Sequence, residues 1–221
     1  TCPRGRWRWA TMGDYVLAAT QSDTIAVSAG GATFTSLTGA PKARMIESVY
    51  GFIMAAGTID ATYGEQPDRW YCSGIFDHTS WTPSAATQCT TGRLVDTPGP
   101  ITGLRRLGSN IVAYKDSSLY LGQYVEPPTV WSWTLVSSNI GCPSHDAIVN
   151  IGKAHVFMGR DNFYIYDGAQ ISAIGEPIRR WFFDSQLLRT SESRIQSCHD
   201  AGHALADDDV GRLHQRDPLL G

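Results

Sequence analysis

The sequence predicts an all-β, β-propeller-like fold made of repeated four-stranded antiparallel blades, at least four of them. Three observations predict it. The apolar segments are short and are broken by tight polar turns. One strand–turn–strand pattern recurs along the chain at blade-like spacing. Pro-containing turns (Gly39–Ala40–Pro41, Pro98–Gly99–Pro100, Gly141–Cys142–Pro143 and Gly175–Glu176–Pro177) follow or lie between the copies, as expected of a residue that cannot donate to a ladder.

The clearest copy is HVFMGRDNFYIYDGAQISAIGEP, residues 155–177. His155 to Met158 is one apolar run, Gly159–Arg160–Asp161–Asn162 a turn, and Phe163 to Tyr166 a second run. Asp167–Gly168 then turns the chain into Ile171–Ile174. An isolated hairpin is marginal in water, so such a unit needs neighbours to pack on. The segment LRRLGSNIVAYKDSSLYLG, residues 104–122, aligns without a gap on IVNIGKAHVFMGRDNFYIY, residues 148–166. Leu104 and Leu107 match Ile148 and Ile151, Gly108 matches Gly152, and Ser117–Ser118 falls on the Asp161–Asn162 turn. Upstream, WATMGDYVLAAT (9–20) aligns without a gap on IESVYGFIMAAG (46–57).

Each copy continues into further strands. The third strands are expected at Thr24–Val27 and, after an insertion around Ala61–Arg69, at Trp70–Ser73. The outer strands are expected at Phe34–Leu37, Trp81–Thr82, Trp133–Leu135 and Ile171–Ile174. In the third copy the strands fall near 101–107, 110–115, 118–123 and 132–137, with tight turns at Asp116–Ser118 and Arg160–Asn162. Blades therefore occupy 1–188. The remainder, 189–221, has no aromatic residue and reads as an atypical tail. A fifth blade starts at EPIRRWFFDSQLL but nothing continues it.

Composition narrows the function classes. The 221 residues are 42% apolar and 18% charged, with a formal net charge of −3, which gives no general drive towards nucleic acid or acidic membranes. No apolar run approaches the ~20 residues of a membrane helix. Five scattered cysteines (Cys2, Cys72, Cys89, Cys142, Cys198) without a C-x-x-C suit reduced thiols better than a disulfide framework. The start, TCPRGRWRWA, has neither an initiator Met nor a signal-peptide pattern.

Together GAPKARMIESVYGFIMAAGT, YCSGIFDHTSWTPS, PGPITGLRRLGSNIVAYKDSSLYL and FMGRDNFYIYDG resemble the propeller region of tail-hub or nozzle proteins of short-tailed bacteriophages, also called tail tubular or packaged-DNA-stabilising proteins. The resemblance spans roughly residues 7–188. It implies a structural virion component, a homohexameric ring below the portal and adaptor around the DNA exit channel. Its partners would be the adaptor or portal-side proteins and tail fibre or needle proteins. It would be assembled in the bacterial host cytoplasm and located in the virion tail.

Four constellations are candidates for chemistry. HDAGH places His199 and His203 four apart beside Cys198, the spacing of helical zinc ligands, with His214 downstream. Asp200 stands where a zinc protease has its glutamate base, and solvated histidines are the expectation. SGIFDHTSWTP (73–83) partly resembles the Asp-box turn of sialidase-type propellers in Ser73, Asp77 and Trp81 but lacks its central glycine. RGRWRW alternates Arg4, Arg6 and Arg8 with Trp7 and Trp9, so a strand puts the two types on opposite faces. The expectation is tryptophan packed inward and arginine in water, with a phosphate- or partner-contacting basic edge as the alternative. PIRRWFF sets Arg179 and Arg180 beside three aromatics, suiting core packing or a subunit interface.

No G-x-x-x-x-G-K-[ST], G-x-S-x-G or paired C-x-x-C occurs. No catalytic, cofactor-binding or metal residue is therefore assigned, and neither enzymatic activity nor a small-molecule substrate is expected. DNA is expected to pass without specific binding. The alternative is a carbohydrate-binding or glycosidase-type propeller, and a third reading is a monomeric interaction scaffold. The insertion around Ala61–Arg69 and the loop Gln123–Thr129, with Pro127–Pro128, are the expected contact segments, because loops tolerate variation and carry contacts.

Overall fold

The computed structural model describes residues 6–186 together with Ile195 and Ser197. Sixteen strands in these residues form four antiparallel four-stranded sheets, each built in simple sequence order. Blade 1 is β1 (Arg8–Met12), β2 (Tyr15–Ala19), β3 (Ala26–Ser28) and β4 (Thr35–Ser36). Blade 2 is β5 (Lys42–Val49), β6 (Phe52–Asp60), β7 (Gly64–Cys72) and β8 (Thr90–Arg93). Blade 3 is β9 (Ile101–Leu107), β10 (Asn110–Lys115), β11 (Leu119–Tyr124) and β12 (Trp131–Ser137). Blade 4 is β13 (Ile148–Asn150), β14 (His155–Met158), β15 (Phe163–Tyr166) and β16 (Ile171–Ala173). The first strands are mutual neighbours, β1 by β5, β5 by β9 and β9 by β13, so they form the inner wall of a propeller-like array.

Burial follows from strand alternation. A strand inside a central blade meets a neighbouring blade on both faces, so it reads as a continuous apolar run rather than an alternating one. In β6, Ile53 and Ala55 pack towards blade 1 while Phe52, Met54 and Ala56 pack towards blade 3. In β10, Ile111 and Ala113 face blade 2, and Val112 and Tyr114 face blade 4. Three apolar cores result, between blades 1 and 2, 2 and 3, and 3 and 4. Among the described residues there is no fourth core between blades 4 and 1.

The recurrent glycine has a backbone cause. Gly13 and Gly108 begin two-residue turns between the first and second strands, at φ +56° and +61°. The φ > 0 conformation costs an L side chain about 1–2 kcal/mol, which glycine avoids. Blade 2 puts Tyr50 at this position, at φ +48°.

Four expectations are corrected. The outer strand of blade 2 is Thr90–Arg93, not Trp81–Thr82; Trp81 is buried as the anchor of the long loop 73–89, its Nε1–H donating to the His78 carbonyl at 2.8 Å. The insertion around Ala61–Arg69 is mostly ladder: it lengthens the β6–β7 hairpin, with Glu65 and Gln66 paired to Ile59 and Thr58. No strand opens at EPIRRWFF; Trp181–Gln186 is a π-helical turn, and Phe182 and Phe183 pack on Phe163 at ring distances of 5.0 and 5.4 Å. The fourth concerns the N-terminal strand, whose tryptophans point outward.

Candidate functional site

Arg6 and Arg8 both reach the Asp146 carboxylate, at 2.5 Å, bringing the first blade to the 3-10 turn His145–Ala147 that leads into the fourth. Trp7 and Trp9, on the opposite parity, are 46% and 57% exposed. Trp9 makes an edge contact with Phe34 at 5.6 Å, and Trp7 stacks on Trp9. Alternation is present as expected, but the sides are exchanged. A carboxylate 138 positions away in the chain supplies the inward partner for arginine, and among the described residues no neighbouring blade covers the tryptophans. Arg4 lies outside the described residues, as do His199, His203 and His214. Of the tail, Ser197 donates through both its N–H and its hydroxyl to the Asp146 main-chain oxygen, at 2.7 and 2.8 Å. Ile195 packs on the core between blades 3 and 4.

The inner strands carry a charge network. Arg105 of β9 stands 3.8 Å from Glu47 of β5, too far for a good hydrogen bond. Burial pushes the Glu47 carboxyl up and the Arg105 guanidinium down, against their mutual attraction. Burial would also raise Asp146, but the hydrogen bond and charge of Arg8, aided by the charge of Arg6, hold its carboxyl below the usual range. His145 accepts the Leu104 N–H at Nδ1, and burial, with Arg105 and Arg8 nearby, keeps its imidazole neutral far below its ordinary value. Each blade thus contributes to one ionic assembly across the axis: Arg8, Glu47, Arg105 and, at the start of blade 4, Asp146. Its arginines are engaged by carboxylates rather than left free for phosphate.

A second region lies where the first and third turns of the blades emerge. The four described non-glycine residues with positive φ all lie here: Tyr50 (+48°), Phe76 (+53°), Gln88 (+59°) and Val130 (+64°). The Tyr50 ring stacks on Tyr124 of blade 3, at 4.5 Å and 26°. Tyr124 donates its hydroxyl to Gln88 Oε1 at 2.9 Å. The Phe76 N–H donates to the Gly51 carbonyl at 2.6 Å, and its ring lies over Gly51, where a Cβ would meet it at 2.6 Å. Phe76 is nonetheless 79% exposed and Tyr50 50% exposed, whereas Phe52 and Trp131 beneath them are buried. Loop 73–89, which carries the partial Asp-box resemblance, builds much of this shelf. Asp77 accepts from the Thr79 N–H and hydroxyl, which hold its carboxyl below the usual range. Its role is to fold the loop.

Backbone strain without compensating burial gives a prediction. Phe76→Gly removes an exposed ring and relieves the φ penalty, against a larger entropy loss on folding. We expect stability unchanged or raised, by up to about 1 kcal/mol. Urea unfolding measures it, and a loss above that size would mean that the ring supports the fold.

The other segments singled out by sequence carry no site in the structure. Arg179 donates through Nε to the Asp161 carbonyl at 2.9 Å, and Trp181 is exposed. The loop 125–130 holds a cis Pro127–Pro128 bond and is closed by the Val125 N–H on the Val130 carbonyl. Cys72, Cys89 and Cys142 are buried, and burial pushes the Cys72 and Cys89 thiols up to about 12.

No protein-family model matches the sequence, and no curated protein matches it. Solved structures do match, among them one described as the structure of YjhT, with a TM-score of 0.47 and 13% identity. That match covers 78% of this chain and 66% of the other, so the chain spans about two thirds of that protein's length. The propeller-like fold of this chain stands on its own four sheets.

Proposed function

We propose that the chain is a structural component of a bacteriophage tail, a hub or nozzle part of a homohexameric ring around the DNA exit channel. The reading is supported by the sequence resemblance over residues 7–188. The observation that carries it is the free face of blade 1, where Trp7, Trp9 and Phe34 form an exposed aromatic cluster on an array with no fourth inter-blade core among the described residues. Contiguous apolar surface of this kind marks contact with further protein. In this reading the chain catalyses nothing, binds portal-side and fibre or needle proteins, and lets duplex DNA pass. Tight phosphate contacts would hold a polyanion in place, and Arg6 and Arg8 are already engaged by the Asp146 carboxylate.

The test is particle mass in solution. The purified chain is expected as a particle six times its 24.1 kDa, and Trp7→Ser/Trp9→Ser as a folded particle of lower mass. A wild-type chain that stays at monomer mass at every concentration sinks the proposal.

A further inference from the structure

We propose that the shelf formed by Tyr50, Phe76 and Tyr124, with Gln88 at its rim, binds the neutral pyranose rings of an oligosaccharide. This goes beyond the tail reading and does not depend on it.

The first ground is where the strain sits. Blades 1 and 3 put Gly13 and Gly108 at the turn position that blade 2 gives to Tyr50. A bulky residue there costs conformational energy, and half of its surface faces water. Phe76 repeats the arrangement with even less burial. Strained φ/ψ concentrates at ligand clamps, where the geometry of the side chain is worth more than the local penalty. Here three of the four described non-glycine positive-φ residues, Tyr50, Phe76 and Gln88, contribute to the shelf, and the fourth, Val130, is buried in the loop that follows Tyr124.

The chemistry of the patch selects the ligand. Tyr50 and Tyr124 form one stacked pair, and Phe76 adds a nearly uncovered ring beside it, anchored over Gly51. Such faces suit flat, weakly polar surfaces. The polar groups joined at the rim are uncharged: the Tyr124 hydroxyl, which donates to Gln88 Oε1 at 2.9 Å, and the Gln88 amide, whose Nε2 is a donor. A hexopyranose has the complementary make-up, with C–H groups on one face and hydroxyls around the ring. Apolar rings with a few placed polar groups are the usual lining of small-molecule sites. A polyanion or a charged peptide would need countercharges, and Asp77, the nearest carboxylate in the loop, is held by Thr79.

Saturation-transfer NMR on maltohexaose, cellohexaose and chitohexaose, each with the full chain, tests this directly. At ~5 mM sugar, millimolar dissociation constants are detectable. We expect transfer to the ring C–H protons of at least one of the three, and a several-fold loss in Tyr50→Gly/Phe76→Gly. That variant removes the rings while relieving both φ penalties, so it does not fail by unfolding; its melting temperature is the check. Trp9→Ser, on the free face of blade 1, should leave the transfer unchanged. No transfer to any of the three sugars overturns the proposal, as does transfer that survives in the double variant. A shelf that instead captures a protein partner while all three sugars stay silent counts against it equally.

Discussion

Gly141→Ala is expected to destabilise the protein by about 3 kcal/mol or more, the upper part of the range for overpacking a closed site. A Cβ at this position would sit 2.5 Å from the Ser118 nitrogen and 2.7 Å from that of Ser117, and would also collide with the Lys115 carbonyl oxygen. All three are backbone atoms of the β10–β11 turn, so no side-chain rotation relieves the clash. The turn has little freedom to retreat. The Cys142 N–H donates to that same Lys115 oxygen at 2.9 Å, and the Lys115 N–H closes on the Ser118 carbonyl at 2.8 Å. The buried Lys115 ammonium donates to the Leu94 and Thr97 carbonyls, both at 2.6 Å. The Thr97 hydroxyl in turn meets Ser118 Oγ and the Tyr120 hydroxyl at 2.7 and 2.8 Å. Displacing the turn therefore loosens a buried polar network as well as the packing around it. Urea unfolding should show the loss, while Gly31→Ala, with open space around it, should stay within about 0.5 kcal/mol. A change below about 1 kcal/mol at Gly141 would show that the turn yields more easily than its hydrogen bonds imply.

The blades were legible because their inner strands obey a local rule. Ile101–Leu107 and Asn110–Lys115 fall where apolar periodicity and turn residues place them. The outer strand of blade 2 was not legible: Thr90–Arg93 is a polar edge strand with no apolar pattern. Trp81 drew the assignment instead, although its burial comes from folding the loop back onto the core between blades 1 and 2. In RGRWRW the period was readable but the inward side was not, because Asp146 is remote in sequence. The same limit hid the ionic assembly of the inner strands. The shelf left one readable signal, an aromatic Tyr50 aligned with Gly13. Its meaning depends on a stack with Tyr124, and no local pattern predicts contact between loops of two blades.

Acidification should destabilise this protein before most of its carboxylates are protonated, through His155. The imidazole is fully buried between blades 3 and 4. Its Nε2 is 2.9 Å from the Arg106 carbonyl, which can only accept, so Nε2 carries the proton and neutral Nδ1 accepts from the Tyr114 hydroxyl at 2.9 Å. Burial pushes its pKa from 6.5 down to about 4; the Arg106 carbonyl bond opposes this, and the charge of Arg105 adds to it. The unfolded chain thus takes up a proton near pH 6.5 that the folded chain refuses until about pH 4. Between those values the unfolded state holds more protons, so stability rises with pH and is lost on acidification. The span corresponds to about 3 kcal/mol. His145, neutral for the same reason beside Arg105, Arg8 and Asp146, adds a loss of the same sign. The carboxyls held low, Asp68, Asp77, Asp146 and Asp167, release their share only as pH falls below 3.8, outside this window. Glu47, raised by burial, acts in the opposite sense from pH 4.5 upward, but equally in the wild type and in a His155 variant. His155→Gln keeps a donor for the Arg106 carbonyl and removes the titration. It should be less stable than the wild type at pH 7, and the difference should shrink steadily towards pH 4.5. Urea midpoints that fall in parallel for the two proteins across this interval would show that His155 is not the group that couples folding to protons.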